Sequence, residues 1–224
     1  MISAILAGGG RGSRSGDTPK AFINIGEGPL LYYSLEMFNK KVDEIVLVLP
    51  TEYVEQWKEK LKQEYKNIAV IPGGTHRQDS VQAGLNALKS HGGIIIIHDI
   101  ARPLFSEELL LRVIEGAETH GAAVPYVESQ DTLKERESDF VKQTPDRDRL
   151  VCIQTPQAFT ADIIRDAYAK AYKENFYGTD DASLVERAGG KVYLVKGERE
   201  NFKITYPMDI TLAKEIIKKW KKAE

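Results

Sequence analysis

Cysteine is almost missing from the 224-residue chain. Cys152 stands alone, so no intramolecular disulfide can form and a reducing compartment fits. Flanked by Val151 and Ile153, it is expected to be a buried filler rather than a nucleophile. Long apolar runs are missing too. "EIVLVL" at 44–49 and "IIII" at 94–97 fall far short of a membrane span. The opening "MISAILAGGG" has no basic n-region, and its apolar run is too short for a signal peptide. Net charge is only −2, so the molecule as a whole attracts neither nucleic acid nor an anionic membrane. The four histidines do not cluster, and there are no repeats or low-complexity linkers. These absences predict a cytoplasmic protein whose basic chemistry must come from local clustering.

What is present is alternation. "ISAIL" (2–6), "EIVLVL" (44–49), "IAVI" (68–71) and "GIIIIHD" (93–99) read as strands buried on both faces, with "GAAVPYV" (121–127) as a fifth. Helical stretches lie between them at 30–40, 52–65, 77–90 and 106–120, the last with Ser106 as N-cap. The pattern predicts an α/β fold: a mostly parallel, Rossmann-like sheet with helices on both faces. From about 128 to 150 the chain becomes charged and turn-rich, which predicts a protruding β-hairpin arm. Regularity returns with helices at 160–173 and 180–189, strands "KVYLV" and "FKIT", and a last helix from Pro207. Residues 1–224 are expected to form a single domain.

The densest signal follows the first strand. "LAGGGRGSRSGDTPKAF" combines five glycines with Arg11, Arg14 and Lys20. Bare backbone lets N–H groups approach an anion closely, and the three cations repel one another unless something negative sits among them. No Gly-Lys pair exists, so this is no Walker A loop. Pro19 and "GEGP" (26–29) delay the next helix, and no acidic residue closes the second strand, which weakens a dinucleotide reading. A long cationic loop wrapped around a triphosphate remains.

Later segments supply more polar groups at strand ends. "PGGTHRQDSVQAGL" (72–85) places Ser80 early in a helix behind a glycine turn. "HDIARP" (98–103) closes the fourth strand, where ligands of open α/β sheets bind. Asp99 there suits Mg²⁺ beside phosphate oxygens, or forms a surface ion pair with Arg102. His98 is expected to be structural.

"LAGG…GSR…PKAF" resembles the signature of nucleotidyltransferases with a glycosyltransferase-A-like fold. Together with "HDIARP", "DTLK" (131–134), "DR" (146–147), "QTPQAF" (154–159), "TDDAS" (179–183) and "FKITYPMD" (202–209), the chain resembles the 2-C-methyl-D-erythritol 4-phosphate cytidylyltransferase family nearly end to end. Three features depart from the family pattern. The glycine loop is one residue longer, so its arginine is Arg11 or Arg14, and the intact "GSR" favours Arg14. Ile100 replaces a small residue, and Thr75 stands where Asp is frequent.

The resemblance implies catalytic roles for Arg14, Lys20 and Lys203. It implies CTP binding by Ala7, Gly8, Gly10, Gly74 and Ser80. The alditol phosphate would meet Asp99, Ala101, Arg102, Thr155 and Thr179, with Thr132 and Arg147 reaching a neighbouring subunit's site from the arm of a homodimer. Asp99 and Asp209 would face Mg²⁺ or another divalent cation. The chemistry is consistent with the residues. A phosphate monoester is already largely dianionic at pH 7 and attacks the α-phosphorus of CTP without a general base. Fixed positive charge is what such a reaction needs. Ribitol 5-phosphate as acceptor is the nearest rival reading. An NAD(P)-dependent oxidoreductase and a catalytically dead nucleotide-binding regulator are more distant ones.

Overall fold

The computed structural model describes residues 1–9 and 19–223. Gly10, Arg11 and Arg14 therefore lie outside the described residues. The strands are β1 (Ile2–Ala7), β2 (Glu44–Leu49), β3 (Ile68–Pro72), β4 (Ile94–Asp99), β5 (Ala122–Glu128), β6 (Glu135–Glu137), β7 (Phe140–Gln143), β8 (Val151–Ile153), β9 (Gln157–Thr160) and β10 (Tyr193–Lys196). The helices are α1 (Leu30–Asn39), α2 (Val54–Leu61), α3 (Arg77–Ala87), α4 (Glu107–His120), α5 (Ala161–Lys173), α6 (Asp181–Arg187) and α7 (Pro207–Ala223).

The main sheet runs β10-β5-β9-β4-β1-β2-β3, with β8 added to β5. Pairs β1/β2, β1/β4, β2/β3 and β5/β10 are parallel. β9 is antiparallel to both β4 and β5, and β8 is antiparallel to β5. Side chains alternate across the sheet, so each central strand feeds two cores. Leu6, Leu47 and Ile96 meet α1, α4 and α7 on one face. Ile5, Val46 and Ile97 meet α3 and α5 on the other. This double burial is why β1, β2 and β4 are unbroken apolar runs. Ser106 caps α4 by accepting a hydrogen bond from the Leu109 N–H (3.0 Å). Gly121 ends α4 with φ of 86°, a left-handed conformation that suits glycine.

Four expectations need correction. β9 was not anticipated, and it makes the sheet mixed at its centre. "FKIT" is not a strand: the segment has no regular structure, and Ile204 N–H donates to Ala101 O (2.8 Å) outside any ladder. "IAVI" is not buried on both faces. β3 is an edge strand and only partly covered. Cys152 is exposed, because β8 pairs only with β5 and leaves that residue's outer side to solvent.

β6 and β7 form the expected hairpin away from the main sheet. Its apolar residues are uncovered: Phe140 is 80% exposed and Val141 61%.

Candidate active site

The carboxyl ends of β1, β3 and β4 open into a cleft of about 970 Å³. Ala7, Gly8 and Gly9 form one wall, and Gly73, Gly74, His76 and Ser80 another. Lys20, Arg77, Asp99, Ala101 and Lys203 are among the other residues that line it. Two glycine turns touch here. A Cβ on Gly73 would lie 3.3 Å from Gly9 Cα and 2.8 Å from Ser80 Oγ, so side chains are excluded where the two backbones meet. Gly8 donates its N–H to Val48 O (2.8 Å), and a Cβ there would strike Ile100 Cδ1 at 2.7 Å. Ile100 therefore fills the space beneath the first glycine turn. Ser80 fixes the second turn. Its hydroxyl accepts from the Gly74 N–H (3.1 Å) and donates to His76 O (3.1 Å).

Charge is arranged around Asp99. Its Oδ1 accepts from Arg77 Nε (2.7 Å) and its Oδ2 from Lys203 Nζ (2.6 Å). Burial by itself would push this carboxyl up. The two cations outweigh burial and hold it far below the usual carboxylate range. Arg77 reaches further, donating from Nη2 to Asp181 Oδ2 (2.7 Å), while Tyr168 Oη donates to Asp181 Oδ1 (2.6 Å). Asp181 is fully buried. Lys20 Nζ donates to Ile204 O (3.1 Å), which places it beside the Lys203 segment.

His98 lies behind this network between Phe38 and Phe105. Its Nε2 donates to Arg102 O (3.1 Å), because a carbonyl can only accept. Nδ1 then accepts from Thr155 Oγ1 (3.2 Å), and Thr155 Oγ1 in turn accepts from the Asp99 N–H (3.0 Å). Burial pushes the His98 imidazole down to about 3, so it stays neutral and structural.

Thr155 thus supports Asp99 from behind and is itself buried. Arg102 makes no ion pair with Asp99. Its Nη1 donates to Asn201 O (2.9 Å) and its Nη2 to Ile153 O (3.3 Å). Burial lowers its pKa, leaving a cation braced by carbonyls beside a smaller hollow that it shares with Arg199 and Lys203. Gln154 braces the same loop, donating to Glu198 O (2.7 Å) and Asn201 O (3.1 Å). Gln157 bonds Asp180 Oδ2 (2.8 Å) at the start of α6. The "TPQ" and "TDDAS" segments therefore act largely as braces.

The cleft gathers Ala7, Gly8, Lys20, Gly74, Ser80, Asp99, Ala101 and Lys203. Thr132, Arg147 and Thr179 are exposed and do not line it. Arg77, Gly9 and Asp181 went unnoticed in the sequence. The available clue was Asp99 itself, since a strand-end carboxylate among apolar runs demands a cationic partner.

The two carboxylates expected to hold Mg²⁺ do not fit that role. Both Asp99 oxygens already face cations. Asp209 Oδ2 accepts from the Thr205 and Tyr206 N–H groups (2.7 and 2.8 Å), capping α7. Among the described residues no cluster of three His, Cys, Asp or Glu could hold a metal ion. No helix among them is long and apolar enough to cross a membrane.

A mostly parallel sheet with glycine turns and fixed cations at its strand ends defines a nucleotidyltransferase of the α/β class. A cytidylyltransferase for 2-C-methyl-D-erythritol 4-phosphate from Clostridioides difficile (strain 630) is 39% identical over 229 residues, covering 100% of this chain and 97% of its own. The enzyme of the same name from Syntrophus aciditrophicus (strain SB) is 42% identical, covering 97% and 96%. The crystal structure of 4-diphosphocytidyl-2C-methyl-D-erythritolsynthase from Anaerococcus prevotii DSM 20548 matches with a TM-score of 0.86 at 35% identity, covering 97% of this chain and 98% of that one. The chain belongs to the IspD family, 2-C-methyl-D-erythritol 4-phosphate cytidylyltransferase, whose model matches residues 2–219. The family transfers CMP from CTP to methylerythritol phosphate in isoprenoid biosynthesis, and this chain is one of its cytidylyltransferases.

Proposed function

We propose that the cleft carries out the family reaction with the following division of labour. CTP lies along Ala7, Gly8 and Gly10, with its base against the Gly74–Ser80 turn. A phosphate oxygen of the acceptor attacks the α-phosphorus of CTP. The new P–O bond forms as the α–β bridging bond breaks, and pyrophosphate leaves with the electron pair. No proton need move, which fits a site whose nearest buried histidine is neutral and turned to structural partners. Lys20, Lys203 and Arg14 offset the charge that builds on the leaving group. The family resemblance assigns Asp99, Ala101, Arg102, Thr155 and Thr179 to the acceptor side: Asp99 and Ala101 line the cleft, Arg102 the adjoining hollow, Thr155 supports Asp99 from behind, and Thr179 stands outside the lining.

One observation carries this reading. Lys20 from the first-strand loop and Lys203 from a segment far along the chain converge on one cleft lined by glycine backbone. In a low-dielectric pocket such cations act strongly on developing charge.

Arm residues Thr132 and Arg147 complete a neighbouring subunit's acceptor site in a homodimer, a reading supported by the uncovered Phe140 and Val141. The family implies a divalent cation, preferably Mg²⁺. Since Asp99 and Asp209 are otherwise engaged, the chain's own cations supply the fixed charge. Residues 1–224 act as one cytoplasmic unit.

Pyrophosphate release from CTP tests the reading, with methylerythritol phosphate and ribitol 5-phosphate compared side by side. Turnover is expected with the former. Equal or faster turnover with ribitol phosphate overturns the acceptor assignment, and release with neither overturns the reaction.

A further inference from the structure

Asp99 and Lys203 belong to the cleft, but neither fixes its own orientation. Lys203 lies in a segment without helix or ladder, and its ammonium is held by Asp99 Oδ2 (2.6 Å). The Asp99 carboxylate is held in turn through Oδ1 by Arg77 (2.7 Å). Arg77 opens α3, so its backbone is set by the same glycine turn that Ser80 clasps. Its guanidinium is a planar fork with two ends in use, Nε on Asp99 and Nη2 on Asp181 (2.7 Å). Asp181 cannot swing, because it is fully buried and its other oxygen takes the Tyr168 hydroxyl (2.6 Å).

Five side chains therefore form one line: Tyr168, Asp181, Arg77, Asp99 and Lys203. They come from α5, α6, α3, β4 and the segment before α7. From Asp181 onward the line alternates in sign, and it ends on the Lys203 ammonium.

Resting on the cytidylyltransferase reading of the cleft, we propose that Arg77 is a positioning residue for this reaction. It anchors Asp99 to Asp181 so that the second Asp99 oxygen aims Lys203 at the transferring phosphoryl group. Arg77 acts through Asp99 and Lys203 rather than on CTP. Two of its five N–H donors are committed to these carboxylates, one on each side of the fork. The line also gives the "DD" of "TDDAS" distinct tasks. Asp180 caps α6 by accepting from the Ser183 N–H (3.0 Å), while Asp181 anchors the arginine.

The test is steady-state kinetics of pyrophosphate release from CTP and methylerythritol phosphate. It compares wild type, Arg77→Lys, Arg77→Ala and the double variant Arg77→Gln/Asp181→Asn. The double variant leaves no unpaired buried carboxylate at Asp181 and keeps the question open to measurement if Arg77→Ala does not fold. Misaiming a reacting group by about an ångström costs about 10²-fold, so kcat is expected to fall that far in Arg77→Ala and in the double variant. The KM for CTP should stay within about threefold, because uniform binding is untouched. Arg77→Lys should fall between, since an ammonium cannot fork to both carboxylates. Because Arg77 lines an open cleft, millimolar guanidinium should restore part of the turnover of Arg77→Ala, an effect a purely structural role would not produce.

A folded double variant with wild-type kcat overturns the proposal. So does a raised KM for CTP at unchanged kcat, or a folded Arg77→Ala that guanidinium leaves unimproved. A wild-type protein that releases no pyrophosphate would instead sink the reaction assigned above.

Discussion

The cleft and the arm handle charge in opposite ways. In the cleft, Arg77, Asp99, Lys203 and Asp181 are paired to one another and fixed by buried neighbours. On the arm, Thr132 and Arg147 stand in solvent, and the hairpin's own ion pair, Lys142–Glu135, is exposed. A pre-paired site has already met its reorganisation cost during folding, so its cations act at full strength when substrate arrives. An exposed hairpin with Phe140 and Val141 uncovered has no core of its own. One region is held by its own ion pairs, and the other leaves its apolar side chains to solvent.

The largest expected effect sharpens the cleft side. Lys20→Ala should lower turnover by roughly 10²–10³, as loss of one fixed donor does, with little change in melting temperature. Kinetics beside a thermal melt check this, and normal turnover would remove Lys20 from the mechanism.

The next tests whether the arm works in the partner's site. Arg147→Ala should lower kcat/KM for the acceptor by about 10–10²-fold, the loss expected for one charge-assisted hydrogen bond, without altering stability. Mixing Lys20→Ala and Arg147→Ala subunits should regenerate some intact sites. If mixtures never exceed the more active parent, each arm serves its own chain or none.

An effect on stability rather than turnover concerns His98. Its folded pKa, about 3, lies below the unfolded value near 6.5, so the unfolded chain takes up the proton first. Its contribution to stability is intact above pH 6.5 and declines as pH falls towards 3. Between pH 6.5 and 4 that is about 3 kcal/mol, measurable by urea unfolding. His98→Asn should flatten that slope, whereas an unchanged slope would place the proton elsewhere.

The smallest effect distinguishes cap from ligand. Asp209→Ala should cost about 1 kcal/mol by uncapping α7 and leave the Mg²⁺ dependence of turnover unchanged. A shifted Mg²⁺ dependence would restore Asp209 as a metal carboxylate.

The parallel half of the sheet is legible in the sequence because strands buried on both faces leave unbroken apolar runs, as in "EIVLVL" and "IIII". β9 is not, because Gln157 opens it behind Pro156. That glutamine is tolerated inside only by its hydrogen bonds to Asp180 and the Ala182 N–H. "FKIT" has a strand's composition, yet Lys203 and Thr205 line the cleft and the backbone has no neighbouring ladder. Cys152 reads as buried because its neighbours are apolar, but strand side chains alternate and it points to solvent. The glycine turns and lysines are legible by chemistry. Arg77 is not, since a helix-opening arginine looks like ordinary surface until its two distant carboxylates are seen together.

The antiparallel β5–β8 ladder has a practical consequence. Val127 pairs with Cys152, and one residue past Ile153 the chain reaches Gln154 and then Thr155 beneath Asp99. The hairpin's stem and the floor of the pocket are thus one continuous piece of backbone. An engineer shortening the protrusion must trim it between Ser129 and Leu150, above that ladder. A cut any lower would unlace the pocket along with the handle.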